Sequence, residues 1–202
     1  MQGLPNGHRL VALYLAQTIV EYDSAGAEIG RLAVPGRPGG FERLDSGNTI
    51  VAISDQHCVV ELKPDGSVVT KFDVPDFPVD VRLLDNGRLL VCLARQVIEV
   101  ERTGRVVWSL DGFMRASAAQ RLENGNTLVA ERGRGGLGRA VEFDAAGRVV
   151  WERTGLQQCC SAERLPDGST LVADLAGVRE ITPDGKERWL FQGTAFSRAT
   201  RY

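Results

Sequence analysis

Arg121-Leu-Glu-Asn-Gly-Asn-Thr-Leu-Val-Ala130 sets an Asn-Gly pair between an arginine-led segment and a run of Thr, Leu, Val and Ala. Asn-Gly between apolar runs is the strongest short hairpin signal, because the turn needs a residue that accepts positive φ. The turn Leu122-Glu-Asn-Gly125 has four counterparts: Leu4-Pro-Asn-Gly7, Leu44-Asp-Ser-Gly47, Leu84-Asp-Asn-Gly87 and Leu165-Pro-Asp-Gly168. From Gly7 to Gly168 the turn glycines follow one another at intervals of 40, 40, 38 and 43 residues. A period in this range marks a repeat architecture, and repeats decide a fold before any single element does.

Outward from each turn the pattern continues. A short β-rich run follows, as in Thr49-Ile-Val-Ala52 and Thr170-Leu-Val-Ala173. After a variable loop, a third strand is expected near Glu21, Glu61, Glu99, Glu142 and Glu180. Five residues beyond each glutamate stands another turn glycine: Gly26, Gly66, Gly104, Gly147 and Gly185. A fourth strand then carries Trp108, Trp151 or Trp189 at one offset, with Gly30 and Thr70 there in the other two repeats. Before four of the turns lies an innermost strand, such as Phe41-Glu-Arg43 or Ser161-Ala-Glu-Arg164. No sustained 3.6-residue period interrupts this series.

The expected fold is therefore all-β: a five-bladed β-propeller of four-stranded antiparallel blades in a single domain spanning residues 1–202. The repeats run over 4–43, 44–83, 84–121, 122–164 and 165–202. The first turn lacks an inner strand ahead of it, and 196–202 resembles the missing piece. That C-terminal strand is expected to pair near Leu10, completing the first blade and removing exposed sheet edges.

Composition narrows the partners. Twenty-four Lys and Arg stand against 26 Asp and Glu, a net charge of −2. This excludes a general electrostatic hold on nucleic acid or an anionic membrane. Only Lys63, Lys71 and Lys186 are lysines; the remaining basic residues are Arg. Residues 1–9 show no charged segment leading into an apolar run, and Leu10–Ala16 is too short to span a bilayer. A cytoplasmic protein and a truncated exported one both fit, as do a monomer and a dimer.

Arg121–Ala130 and Asp144-Ala-Ala-Gly-Arg-Val-Val-Trp151 resemble the repeats of PQQ-like (quinoprotein-like) β-propellers. The likeness runs along nearly the whole chain and implies architecture. Enzymes, assembly scaffolds and other repeat proteins share such blades. Quinoprotein dehydrogenases are typically larger, and neither their calcium set of Glu, Asn and Asp nor a Cys-x-x-Cys-His haem motif can be assigned in this sequence. No cofactor and no metal are expected.

Candidate site residues fall in two loops. Gly133-Arg-Gly-Gly-Leu-Gly138 matches G-x-G-x-x-G, but strand-like sequence on both sides excludes a dinucleotide fold, which needs a helix next. It reads as a long hairpin loop. Arg132, Arg134 and Arg139 offer it fork-shaped donors for a phosphate, sulfate or carboxylate. Gln157, Gln158, Cys159 and Cys160 form the second loop. Adjacent cysteines either close a strained, easily reduced eight-membered ring or remain two thiols; quinoprotein dehydrogenases set such a ring against their cofactor, as the resemblance implies. His57, in Asp55-Gln-His-Cys58, lacks an assignable third ligand or orienting group. Cys92 stands where other repeats have Ala, a small buried position. The five recurrent glutamates read as structural, because sites are grafted locally onto folds.

Loops 131–139 and 155–161 emerge on one face of a propeller, with 35–41, 75–80, 112–117 and 193–197, around the channel mouth. The sequence favours a non-catalytic binding or scaffold module that offers this face to a protein or a small anionic ligand. No catalytic residue is assigned. Two other readings stay open: a small propeller enzyme, quinoprotein-like or recognising sulfo or phospho groups, and a fragment or minimal propeller without a function of its own.

Overall fold

The computed structural model describes residues 1–193 and 199. Among the described residues twenty strands form five four-stranded sheets, each taken in chain order and antiparallel where the register is given. The first is β1 (Gln2–Gly3), β2 (Arg9–Leu13), β3 (Thr18–Tyr22) and β4 (Glu28–Ala33). The second is β5 (Pro38–Arg43), β6 (Thr49–Ile53), β7 (Cys58–Leu62) and β8 (Val68–Asp73), and the third β9 (Pro78–Leu83), β10 (Leu89–Leu93), β11 (Gln96–Val100) and β12 (Val106–Asp111). The fourth holds β13 (Ala116–Arg121), β14 (Thr127–Glu131), β15 (Leu137–Phe143) and β16 (Val149–Gln157), and the fifth β17 (Ser161–Arg164), β18 (Thr170–Asp174), β19 (Gly177–Ile181) and β20 (Glu187–Gln192). One 3-10 turn, Ser54–Gln56, is the only helix among the described residues. These are the five blades of a β-propeller.

The turn sequence explains the hairpins. In each first turn the glycine N–H donates to the leucine carbonyl three residues earlier, at 2.8 or 2.9 Å. The glycines sit at φ between 78° and 84°, whereas Asn6, Asn86 and Asn124 before them do not take positive φ. A single left-handed residue closes each loop, as in a three-residue hairpin loop with a glycine bulge. The residue before the glycine accepts from the N–H of the residue after it: Asn124 Oδ1 from Asn126 at 2.9 Å, Asp167 Oδ1 from Ser169 at 2.9 Å. Such local bonds hold the turn without help from the rest of the chain.

The recurrent glutamates fasten these turns to the third strands. Asn48 Nδ2 donates to Glu61 Oε1 at 2.7 Å, Asn126 Nδ2 to Glu142 Oε1 at 2.7 Å, and His8 Nδ1 lies 2.8 Å from Glu21 Oε1.

The chain forms two compact units, Met1–Val91 with Ile98–Trp108, and Cys92–Val97 with Ser109–Tyr202. In the first, Leu10, Ile19, Phe41, Val51, Ile53, Val60 and Leu62 are buried together between the first two blades. In the second, Leu128, Ala140, Leu156, Cys159, Val172 and Ile181 fill the space between blades four and five. Neighbouring first strands are stitched by one repeat position: Gln2 Oε1 accepts from Arg43 N, Glu42 Oε2 from Leu83 N, and Gln120 Oε1 from Arg164 N, each at 2.8 Å.

That position also bears on the chain start. Gln2 lies opposite Leu10 and Gly3 opposite Arg9, so β1 supplies two residues of inner strand directly before the first turn. The physical reason is the stitch itself: Gln2 precedes Leu4 as Glu42 precedes Leu44, and its amide makes the equivalent bond. Residues 194–198 and 200–202, which carry most of the expected closing strand, lie outside the described residues.

Candidate functional site

The second strand of every blade ends on one repeat position: Leu13, Ile53, Leu93, Glu131 and Asp174. The last two are carboxylates in an otherwise apolar series, and both are buried, at 3% and 0% exposure. A buried carboxylate must find donors. Asp174 Oδ2 accepts from Gln157 N at 2.9 Å and pairs with Arg179, while Oδ1 accepts from Ala176 N at 2.9 Å. Arg179 lies 4.4 Å over the Trp189 ring and also reaches Glu187 at 3.3 Å. Glu131 Oε1 accepts from Met114 N at 2.7 Å, and its Oε2 from Arg139 Nε at 2.6 Å.

These pairs sort the three arginines singled out in the sequence. Arg139 is engaged twice, since its Nη1 also reaches Glu152 Oε1 at 2.7 Å. As an anion donor it is already occupied by carboxylates. Arg132 is half-buried, its N–H donates to Arg115 O at 2.9 Å, and its guanidinium neighbours Cys160. Arg134 is exposed in the loop, where Gly133, Gly135 and Gly136 have φ of 63°, 64° and 85°.

The second loop packs directly against the first. Gln157 lies opposite Leu137 in the sheet, and Gln158, at φ 54°, donates from its N–H to Gly136 O at 3.3 Å. Gly138 allows this approach: a Cβ there would lie 2.4 Å from Cys159 N and 2.9 Å from Glu131 O. The sequence-predicted residues are thus brought together on blades four and five, with Arg139 turned to a structural use.

All four cysteines are free thiols and buried. Burial pushes the Cys159 thiol well above its ordinary range, and the neighbouring Cys160 and Asp174 push it further. Burial also raises Cys160, while Arg132 pulls it back. Cys160 Sγ donates to Gln158 O at 3.0 Å. Thiols held protonated in this way are poor nucleophiles. His57 stands edge-on to Phe77, with ring centroids 6.1 Å apart. Among the described residues no group of three or more His, Cys, Asp or Glu side chains is placed to hold a metal ion.

Two further carboxyls were missed in the sequence. Asp80 is 4% exposed on β9, and burial raises its carboxyl against the pull of Arg82, whose Nε stands 3.5 Å from Asp80 Oδ2. Glu42 on the neighbouring β5 is raised for the same reason, and the bond from Leu83 N opposes the shift. The available signal was the repeat position, where Asp80 replaces Gly40, Ala118 and Ser161. Glu131 and Asp174 carried a similar signal, an acid at the end of an apolar run.

A cleft of about 460 Å³ opens at the other end of blades four and five, lined among others by Gln120, Arg121, Glu142 and Arg164. Its charges already serve one another: Arg164 Nη2 reaches Glu142 Oε2 at 2.7 Å and Arg121 Nη1 reaches Thr127 Oγ1 at 2.7 Å.

Comparison of the whole fold places the chain among β-propellers. A protein of unknown function from Bacteroides caccae superimposes with a TM-score of 0.75 at 19% identity, over 96% of this chain and 80% of that one. A catalytically inactive virginiamycin B lyase from Staphylococcus aureus, with quinupristin, gives 0.69 at 10% identity over 92% and 66% of the two chains. The WD40 propeller domain of Doa1 gives 0.68 at 15% identity over 85% and 58%. The sequence matches no family model and no curated protein sequence. At these identities the likeness is one of fold.

Proposed function

We propose that this protein is a non-catalytic binding module that takes an anionic ligand at the loop end of its fourth and fifth blades. One observation carries the reading. Arg115 and Arg134 are exposed and Arg132 half-exposed along consecutive loops of the second unit, while Glu131 and Asp174, at the same end, are buried and paired with Arg139 and Arg179. The loop end therefore turns the guanidinium groups of Arg115, Arg132 and Arg134 toward solvent, beside the exposed Asp111. Fixed guanidinium groups suit carboxylate, sulfate and phosphate. Cysteines held as thiols leave an enzyme reading without the nucleophile it would draw from this loop.

The test is thermal unfolding with citrate, sulfate and inorganic phosphate, each against sodium chloride at matched ionic strength. A bound anion at about 100 times its dissociation constant adds ~2.7 kcal/mol. In a domain of this size that is roughly 5–10 °C in Tm. The stabilisation is expected to disappear in the double variant Arg132→Ala, Arg134→Ala. An equal shift in wild type and variant for all three anions defeats the proposal.

A further inference from the structure

Two apolar side chains stand among these arginines. Met114 is 54% exposed and Leu137 is 75% exposed. Backbone bonds chain their loops together within the second unit. Phe113 N donates to Arg95 O at 3.1 Å, Arg132 N to Arg115 O at 2.9 Å, and Leu137 N to Arg134 O at 3.3 Å. Met114 N donates to Glu131 Oε1 at 2.7 Å, which holds the connection between blades against the end of β14.

A small anion is best held where several donors converge on one point. Here the cations are strung over two successive loops, with Met114 beside Arg115 and Leu137 beyond Arg134. Arginine and methionine are enriched at protein–protein contacts, and an exposed apolar side chain rimmed by charge marks such a surface. Resting on the reading above, we infer that the occupant is a segment of another protein, rich in Asp and Glu and carrying a large apolar side chain, laid across the loops at 113–116 and 132–137. The carboxylates meet the arginines, and the apolar side chain covers Leu137 and Met114. Charge sets encounter and register, and apolar contact adds residence time.

Fluorescence anisotropy of the whole chain with labelled peptides of about ten residues tests this. One peptide carries Asp and Glu around a central Leu-Phe pair, a second has Ala-Ala in place of that pair, and a third has Lys for every acid. The first is expected to bind at least about fivefold more tightly than the second, and the third not to bind. Leu137→Ser is expected to weaken the first peptide about fivefold and to leave the second unchanged, whereas Arg134→Ala weakens both. Thermal unfolding of each variant, with Tm unchanged, ties these losses to the surface. Equal binding of the first two peptides overturns the inference, as does a single-stranded oligonucleotide of matched charge binding as tightly as the first. If citrate, sulfate or phosphate stabilises the protein through Arg132 and Arg134 while no peptide binds, the inference falls and the anion-binding proposal stands. If neither binds, both fall.

Discussion

Strands β6 (Thr49–Ile53) and β18 (Thr170–Asp174) are both buried along their full length, and both pair residue by residue with the strand that follows. They part at the last residue. Ile53 joins Leu10, Phe41 and Val60 in an apolar cluster; Asp174 accepts two backbone N–H groups and pairs with Arg179. The first arrangement gains stability from area removed from water, about 1.5–3 kcal/mol for such a side chain. The second gains little net energy, because desolvating two charges offsets their attraction. What it gains is position: Gln157, the residue leading into the cysteine loop, is anchored by its N–H to Asp174. One backbone thus serves as plain core in blade two and as the foundation of a loop in blade five.

The sharpest way to break this contrast is to remove each residue. Asp174→Ala strands two N–H groups and leaves Arg179 only its longer contact with Glu187, with an expected loss of about 3–5 kcal/mol in urea unfolding. Ile53→Ala is expected to cost about 2–4 kcal/mol and to leave the loops of the second unit undisturbed. Asp174→Leu combined with Arg179→Leu should recover part of the first loss. A double variant no better than Asp174→Ala would show that the backbone bonds, and not the ion pair, carry the effect.

Next in size is Gly138→Ala, where a methyl group meets Cys159 N; the expected cost is about 1–3 kcal/mol. Gly30→Ala, whose Cβ would stand 3.9 Å from Glu21 Cβ, is expected to be neutral or slightly stabilising. Equal melting temperatures for the two variants would remove the close approach from the account of the loop.

A third comparison uses pH. The folded state holds Asp80 protonated to higher pH than the unfolded chain does, so it binds more protons in the interval between the two pKa values. Stability must then fall as pH rises through that interval and stay level below it. Arg82 and the Met1 amine face this carboxyl, as does the Glu42 charge. Asp80→Asn lacks the titration, so its Tm advantage over wild type is expected to grow from about pH 4 upward. An advantage constant with pH would count against the buried acid. The smallest effect is expected of Arg134→Ala: stability unchanged within about 0.5 kcal/mol, because the side chain is exposed.

Sequence alone determined the blades. The demand for positive φ at Gly7, Gly47, Gly87, Gly125 and Gly168 is local, and five copies of one pattern made each hairpin legible. It also brought Arg132, Arg134 and Cys159–Cys160 to neighbouring loops, since loop order follows from strand order. Only the tertiary structure decided how the charges are spent. Glu131 takes Arg139, and Asp174 takes Arg179 and Gln157, through contacts between residues that no local pattern relates. A turn is fixed by the backbone torsions of a few consecutive residues. The partner of a buried charge depends on which distant side chains arrive within hydrogen-bond reach after the sheets have packed.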